Sequence, residues 1–327
     1  MRRRHGVAAL ATTLAKSPLG AAYGGQALVE GILMRGPAHI GAAFRAADGT
    51  IVVTSEPLPS GELRRRIARI PVVRGAAVLW ETLSLGARWL TRSAEIASGD
   101  EAPSTTGSRV ATTLMLVATL AIAVVGFNVV PAIAASWIAA ALGGTSLLVE
   151  RAIDGALQVL VLIGYLALVG RSRDIDRTYR YHGAEHRAIH ALENGEPLTR
   201  ATLARWPTAH PRCGTEFLVV VILVSIVSFS LVGRLDPIAT IASRLLGIPL
   251  VAGVAYELLR LLGRYRRNPV ARLLAAPGIA VQSITTRAPD DAMHDVAIAA
   301  LTAALEAAGA AAPAGSERPA WRTLAPR

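Results

Sequence analysis

Between Arg109 and Glu150 the chain carries no charged side chain. A helix at a protein surface keeps a polar stripe toward water, and this stretch has none to offer. It is also much longer than the roughly 20 apolar residues that cross the hydrocarbon core of a bilayer. The run therefore predicts a span over Thr112 to about Ala139, tilted or kinked at Pro131, with Gly143-Gly144 as the turn that follows. Further apolar runs predict a second span from Ser146 to Val169, a short third from Phe217 to Gly233, and a fourth from Ile238 to Leu262. The fourth contains Arg244, Gly247, Pro249 and Glu257, which argues for a broken helix whose charges are paired or wetted. The fold class expected is a mainly α membrane protein of about four transmembrane helices, with a small N-terminal β-hairpin region and a cytoplasmic metal-site helix and loop.

Composition agrees: 52% of the 327 residues are hydrophobic and the mean hydropathy is +0.43, too apolar for one ordinary soluble domain. The net charge of +11 is almost all arginine, Lys16 being the one lysine. These arginines flank the apolar runs, as the positive-inside rule and anionic headgroups select. The lipid bilayer is thus the expected partner, and an aromatic content of 5% leaves little material for stacking nucleic-acid bases. Arg171, Arg173, Arg177 and Arg180 follow the second span, and Arg260, Arg264, Arg266 and Arg267 follow the fourth. That bias places both termini and the loop between the second and third spans in the cytoplasm, where a lone Cys213 stays reduced. Arg2-Arg3-Arg4 is followed by no convincing signal-peptide pattern.

The remaining organisation reads as a basic lead-in over 1–21, a Gly-rich segment with a β-hairpin over 22–60, and an amphipathic helical region with linker over 61–108. Spans one and two fill 109–170, the His/Cys loop 171–214, spans three and four 215–263, a cytoplasmic C-terminal region 264–308 and a disordered tail 309–327. The hairpin pairs His39–Arg45 with Thr50–Ser55 across an Asp48-Gly49 turn. It is either a decoration or a lid bringing Glu30 and Arg35 to a site. The helical region, with arginines on one side and Trp80 and Trp89 among its apolar residues, fits the headgroup layer or a soluble helix pair broken near Pro71 and Gly86.

Four of the seven histidines and the only cysteine fall between residues 182 and 213. If 182–193 is helical, His182, Glu185, His186, His190 and Glu193 share one face. His-x-x-Glu-His lets one helix present two imidazoles to a zinc ion while the carboxylate between them handles a proton. His210 and Cys213, bounded by Pro211 and Gly214, supply a second ligand pair from a turn. Use of one of the two leaves a position open for water, the layout of a catalytic zinc; use of both closes the tetrahedron, the layout of a structural one.

Gly25–Pro37, Tyr181–Glu193, His210–Thr215, Tyr256-Glu257 and Thr285–Arg287 resemble, in order and spacing, the bacterial YqhQ-like family. The resemblance runs from roughly residue 22 to 308. It implies a multi-span protein of the bacterial inner membrane, described as a metal-dependent enzyme without an assigned reaction. It also implies a metal centre of His182, Glu185, His186, His210 and Cys213, with Glu30 and Arg35 in the other recurrent segment. Ala288 and Asp295 depart from the family pattern, where an acidic residue and a glutamate are expected.

The leading expectation is a cytoplasm-facing metal-dependent enzyme, a zinc hydrolase of unknown substrate. Zinc is favoured over iron or cobalt by the mixture of imidazole and thiolate. Glu185 is the candidate general base, or alternatively a ligand. Arg35 and Arg212 are candidates for steadying an oxyanion or an anionic headgroup, and His190, Glu30 and Glu257 are candidates for the surrounding shell. The alternatives are a non-catalytic scaffold that recruits a cytoplasmic partner and whose zinc only pins the loop, and third an ion transporter suggested by Arg244 and Glu257 in the fourth span.

Overall fold

The computed structural model describes residues 23–59, 66–99, 106–211, 213–265 and 268–324. Among them, four helical stretches are long and apolar enough to cross a membrane: Thr113–Ala141, Leu147–Val169, Gly214–Val232 and Ile238–Arg264. Each expected span has its counterpart. The first is compound. Helix α2 (Thr106–Val124) passes through a π-helical turn at Val125–Val129 into α3 (Val130–Ala141). Pro131 has no N–H to continue the ladder, so the wider turn just before it absorbs the missing bond, as a kink there predicts. Helix α4 (Leu147–Val169) is capped by Ser146, whose side chain accepts from Val149 N–H. Helix α7 (Gly214–Val232) follows the His/Cys loop. Helix α8 (Pro237–Arg264) starts on an Asp236 cap with Pro237 in its first turn.

The fourth span is continuous where a break was expected, and its charges are paired. Arg244 bonds Asp154 of α4 with both side chains almost wholly buried. Gln158 donates to the same carboxylate at 2.9 Å, and the guanidinium lies 4.2 Å from the centre of the Phe229 ring. Glu257 accepts from Arg74 Nε at 2.6 Å and from Val72 N–H at 3.3 Å. It thereby holds the start of α1 (Val73–Ser98) against α8, where Gly75 and Gly253 let the two backbones meet. Val72 sits at φ 67, a strained conformation for a β-branched residue. Helix α1 then runs past Gly86 without interruption, so the second of the two breaks expected for a helix pair, the one near Gly86, is absent among the described residues.

The N-terminal region is larger than a hairpin. Strands β1 (Gly24–Leu28), β2 (Gly31–Arg35), β3 (His39–Arg45) and β4 (Ile51–Pro57) form an antiparallel meander, and β5 (Trp321–Thr323) joins β4 in parallel. The β3–β4 turn is the expected one, with Gly49 at φ 81 and Asp48 accepting from Thr50 N–H at 2.9 Å. Alternation then divides the side chains between two faces. Ile32, Met34, Ala43, Ile51 and Val53 pack with α5 (Arg173–Glu193) and α10 (Asp291–Ala307). Leu33, Ile40, Ala42 and Phe44 pack with Trp89 of α1, whose indole stacks 5.7 Å from Phe44. A sheet covered on both faces is part of the core, so the reading of this region as a decoration is corrected.

The expected tail is corrected as well. Within 309–324, Ser316 Oγ accepts from Leu198 N–H at 2.9 Å, Glu317 N–H reaches the Leu198 carbonyl, and β5 extends the sheet. Residues 325–327 lie outside the described residues. The remaining elements are the short helix α6 (Arg200–Arg205), capped by Thr199, and α9 (Pro269–Thr285), capped by Asn268 and carrying Pro277 inside it.

Candidate metal centre

The sequence places a histidine every four residues along α5, and burial makes the arrangement consequential. Every residue from Glu185 to Glu193 except Arg187 is buried, so these imidazoles must find partners in the protein. His182 Nδ1–H donates to the Thr285 carbonyl at 2.9 Å. His186 Nδ1–H donates to the Thr208 carbonyl at 2.5 Å. Both backbone acceptors fix the tautomer that carries its lone pair on Nε2, the arrangement found where histidine binds a metal. His182 Nε2 stands 3.2 Å from Cys213 Sγ. The ligand atoms of His182, His186 and Cys213 all lie within 4.8 Å of one another.

Cys213 is the N-cap of α7. Its sulfur lies 3.0 Å from Thr215 Oγ1 and accepts from Thr215 N–H at 3.4 Å. Burial raises the thiol above its usual range, while those two bonds pull it back. His186 is driven well below the ordinary imidazole range by burial, and next by its histidine neighbours. Neutral imidazole is the form that ligates.

Glu185 is buried on α5 directly before His186. Its carboxyl is pushed up to about 7, chiefly by burial, with His182 opposing and Cys213 adding to the rise. Gly25 N–H donates to it, and Oε2 has no partner among the described residues. Gly25 is required by this approach: a Cβ there would stand 2.5 Å from the Leu33 carbonyl and 3.0 Å from Glu185 Cδ. The glycine-dense segment thus brings bare backbone to the acid of the His-x-x-Glu-His helix.

The family model described as "Protein of unknown function (DUF1385)" matches residues 70–307. The chain belongs to this family. The uncharacterized protein YqhQ of Bacillus subtilis (strain 168) is similar, with 30% identity over 299 residues covering 87% of this chain and 92% of that protein. No solved structure matches. The matched part of this DUF1385 member includes all of α5, the His/Cys loop and α9, while β1 to β4 precede it.

The other candidate residues fall elsewhere. His210 is beside the cluster, its ring 5.6 Å from that of His186 and 4.5 Å from that of His190. Its Nε2 faces Glu193 Oε2 at 3.4 Å. Gln282 of α9 grips the His210 backbone through both its N–H (2.8 Å) and its carbonyl (3.0 Å). His190 stacks on Trp206 and donates to the Ala209 carbonyl. Arg35 is paired with Glu81 of α1 at 2.9 Å, so its guanidinium serves the sheet–helix contact. Glu30, at φ 48 in the β1–β2 turn, accepts from Arg177 Nη2 at 2.6 Å and from the Tyr181 hydroxyl at 3.1 Å. The pair with Arg177 holds its carboxyl below the usual carboxylate range. It locks the β1–β2 turn onto α5 through Arg177 and through Tyr181, the residue before His182. Glu257 belongs to the α1–α8 junction described above, outside the shell expected for it. Arg212 lies outside the described residues.

Thr208 and Gln282 carry no expectation from the sequence, and Thr285 enters it only as part of the Thr285–Arg287 motif, with no role at the histidines. Thr208 and Thr285 act through carbonyl oxygens and leave no side-chain signal. A glutamine in the otherwise apolar run of α9 was the available hint.

Proposed function

We propose that this protein is a membrane-embedded, metal-dependent hydrolase in which His182, His186 and Cys213 hold a zinc ion. The observation that carries the reading is their convergence: three ligand atoms of the kinds zinc prefers, within 4.8 Å, two of them imidazoles oriented by backbone carbonyls. Three protein ligands leave a fourth position open, the arrangement of catalytic sites. Zinc in such a site acts as a Lewis acid and acidifies water toward neutrality.

The chain supplies the rest. Glu185, with an orphan oxygen and a pKa of about 7, is suited to take up and return a proton near neutral pH. Gly25 N–H steadies it, and the surrounding apolar packing keeps bulk water from it. His210, packed against His186 and anchored by Gln282 and Glu193, braces the ligand helix. With Arg35 paired to Glu81, no oxyanion role is assigned to it. Peptide, amide and lipid-ester bonds are the candidate substrates, and the site is assigned to the cytoplasmic side.

The test begins with elemental analysis of full-length protein purified in detergent from zinc-supplemented cells. About one zinc per chain is expected. Replacement by cobalt should give a thiolate charge-transfer band that Cys213→Ser removes, a readout independent of activity. Glu185→Gln should retain the metal and lose turnover on a panel of amide and lipid-ester substrates. Wild-type protein free of metal would end the proposal at its first step. A metal retained with activity intact in Glu185→Gln would remove the general base.

A further inference from the structure

The end of the bundle away from the His/Cys loop contains a second polar site. The loops there, 142–146 and 233–236, lie a full helix from the metal centre. The 23 residues of α4 span about 35 Å. Between α3, α4 and these loops is a cavity of about 520 Å³, lined among others by Trp137, Thr145, Glu150, Arg151, Arg234 and Thr240. That volume is ordinary for a small-ligand site.

Not every charge around it is paired with an opposite one. Arg244 is paired with Asp154. Arg234 bonds Glu150 at 3.1 Å and the Thr145 carbonyl. The Asp236 carboxylate is engaged in capping α8. Arg151, only 6% exposed, donates from Nη2 to the Gly233 carbonyl at 3.0 Å. Among the described residues its buried Nε–H has no partner, and neither has the buried hydroxyl of Thr145, another residue lining the cavity. A guanidinium held out of water without a paired carboxylate is costly. Two orphan donors, on two residues that line one cavity, call for an acceptor carrying negative charge. Glu150, the acid lining the cavity, is already neutralised by Arg234.

We propose that this recess is a phosphate-binding site, in which Arg151 Nε–H and the Thr145 hydroxyl donate to the oxygens of a phosphate ester or inorganic phosphate. Arginine's fixed donor geometry suits phosphate oxygens. Trp137, 74% exposed and on the cavity wall, sits where an amphipathic ring marks the headgroup level of a bilayer. The ligand reaches the site as a phospholipid headgroup from the membrane or as a free phosphate from the aqueous side. The inference does not depend on the metal centre.

Full-length protein in a maltoside detergent is titrated with dihexanoyl phosphatidylglycerol, with inorganic phosphate and with dihexanoylglycerol, which lacks the phosphate. Binding is read by native mass spectrometry for the lipids and by calorimetry for phosphate. Saturable binding of phosphatidylglycerol but not of dihexanoylglycerol is expected. It should weaken by about tenfold or more in Arg151→Gln, as loss of a hydrogen bond to a charged group implies, and by a smaller factor in Thr145→Val. Saturation by inorganic phosphate as well would make the free anion a sufficient ligand, and saturation by the lipid alone would assign the site to a headgroup. Should Arg151→Gln fail to fold, Thr145→Val, which only exchanges a hydroxyl for a methyl, carries the comparison. Absence of binding by both phosphate compounds, equal binding of dihexanoylglycerol, or affinity unchanged in Thr145→Val would overturn the proposal.

Discussion

Two carbonyl oxygens, those of Thr285 and Thr208, decide which nitrogen each of His182 and His186 turns toward Cys213. His210 has its backbone clamped by Gln282 and its Nε2 against Glu193, so it braces the centre from behind. Cys213→Ser should therefore abolish stoichiometric zinc binding, whereas His210→Ala should keep the metal and lower the melting temperature. Metal content measured beside thermal melts separates the two, and loss of zinc in His210→Ala would favour a closed, structural tetrahedron. His294 makes a separate prediction. Arg187, whose guanidinium is always protonated, donates to His294 Nε2 at 3.2 Å, which requires a neutral ring. Burial depresses its pKa most and Arg187 next, with Asp291 and Asp290 opposing. Above the ordinary value of 6.5 the folded and unfolded chains bind the same number of protons at this site. Below it the unfolded chain takes up a proton that the folded one resists, so stability falls as pH drops. His294→Gln, which keeps an acceptor for Arg187, should flatten that decline in melts recorded from pH 6.5 downward; an unchanged acid limb would exclude His294 as its source. The ligand helix was legible because i, i+3 and i+4 spacing needs nothing beyond helical geometry. The carbonyl partners were not, since any residue type supplies one.

Glycine contacts set how the elements dock, and they give a paired prediction. A Cβ on Gly183 of α5 would collide with the Arg287 carbonyl, in the segment that also presents the Thr285 carbonyl to His182. A Cβ on Gly41 of β3 would collide with the backbone of α10 at Ala300 and Ala304. Each alanine variant should lose about 1–3 kcal/mol of stability, as overpacking typically does. Only Gly183→Ala should also release metal, because only it displaces a group that orients a ligand. Equal metal content in both would sever the link between this docking and the site. These contacts also explain which elements the sequence concealed. Gly24–Pro37 shows no strand pattern because glycine is a poor strand former, yet Gly25 and Gly31 are small so that Glu185 and Phe44 can lie against β1 and β2. Helix α9 was hidden by Pro277-Gly278, but Gly278 is where Glu216 of α7 packs. Strand β5 has three residues, too few for a period to register, and it exists through its pairing with Ile51–Val53. The long apolar helices needed none of this, since their length and lack of charge state the environment directly.

For the molecule as a whole, an even number of spans places the sheet, α5, α6, α10 and the His/Cys loop together at one end of the bundle, and leaves the loops at 142–146 and 233–236 at the other. The distal loops carry one arginine, Arg234, whereas Arg171, Arg173, Arg177 and Arg180 crowd the near end. Several near-end arginines are paired, Arg177 with Glu30 and both Arg180 and Arg287 with the single carboxylate of Asp176. Pairing does not weaken the orientation signal, because insertion responds to lysine and arginine and hardly to acidic residues. The near end should therefore face the cytoplasm, which would also keep the thiol of Cys213 reduced for metal binding. In a Cys213→Ser background, single cysteines at exposed positions on the two ends report the side directly: Asp48→Cys at the β3–β4 turn and Leu142→Cys in the distal loop. A membrane-impermeant maleimide applied to intact cells should label Leu142→Cys at once and Asp48→Cys only after permeabilisation. The reverse pattern would put the His/Cys centre outside, where an oxidising environment competes for the thiol and the phosphate recess would instead open to the cytoplasm.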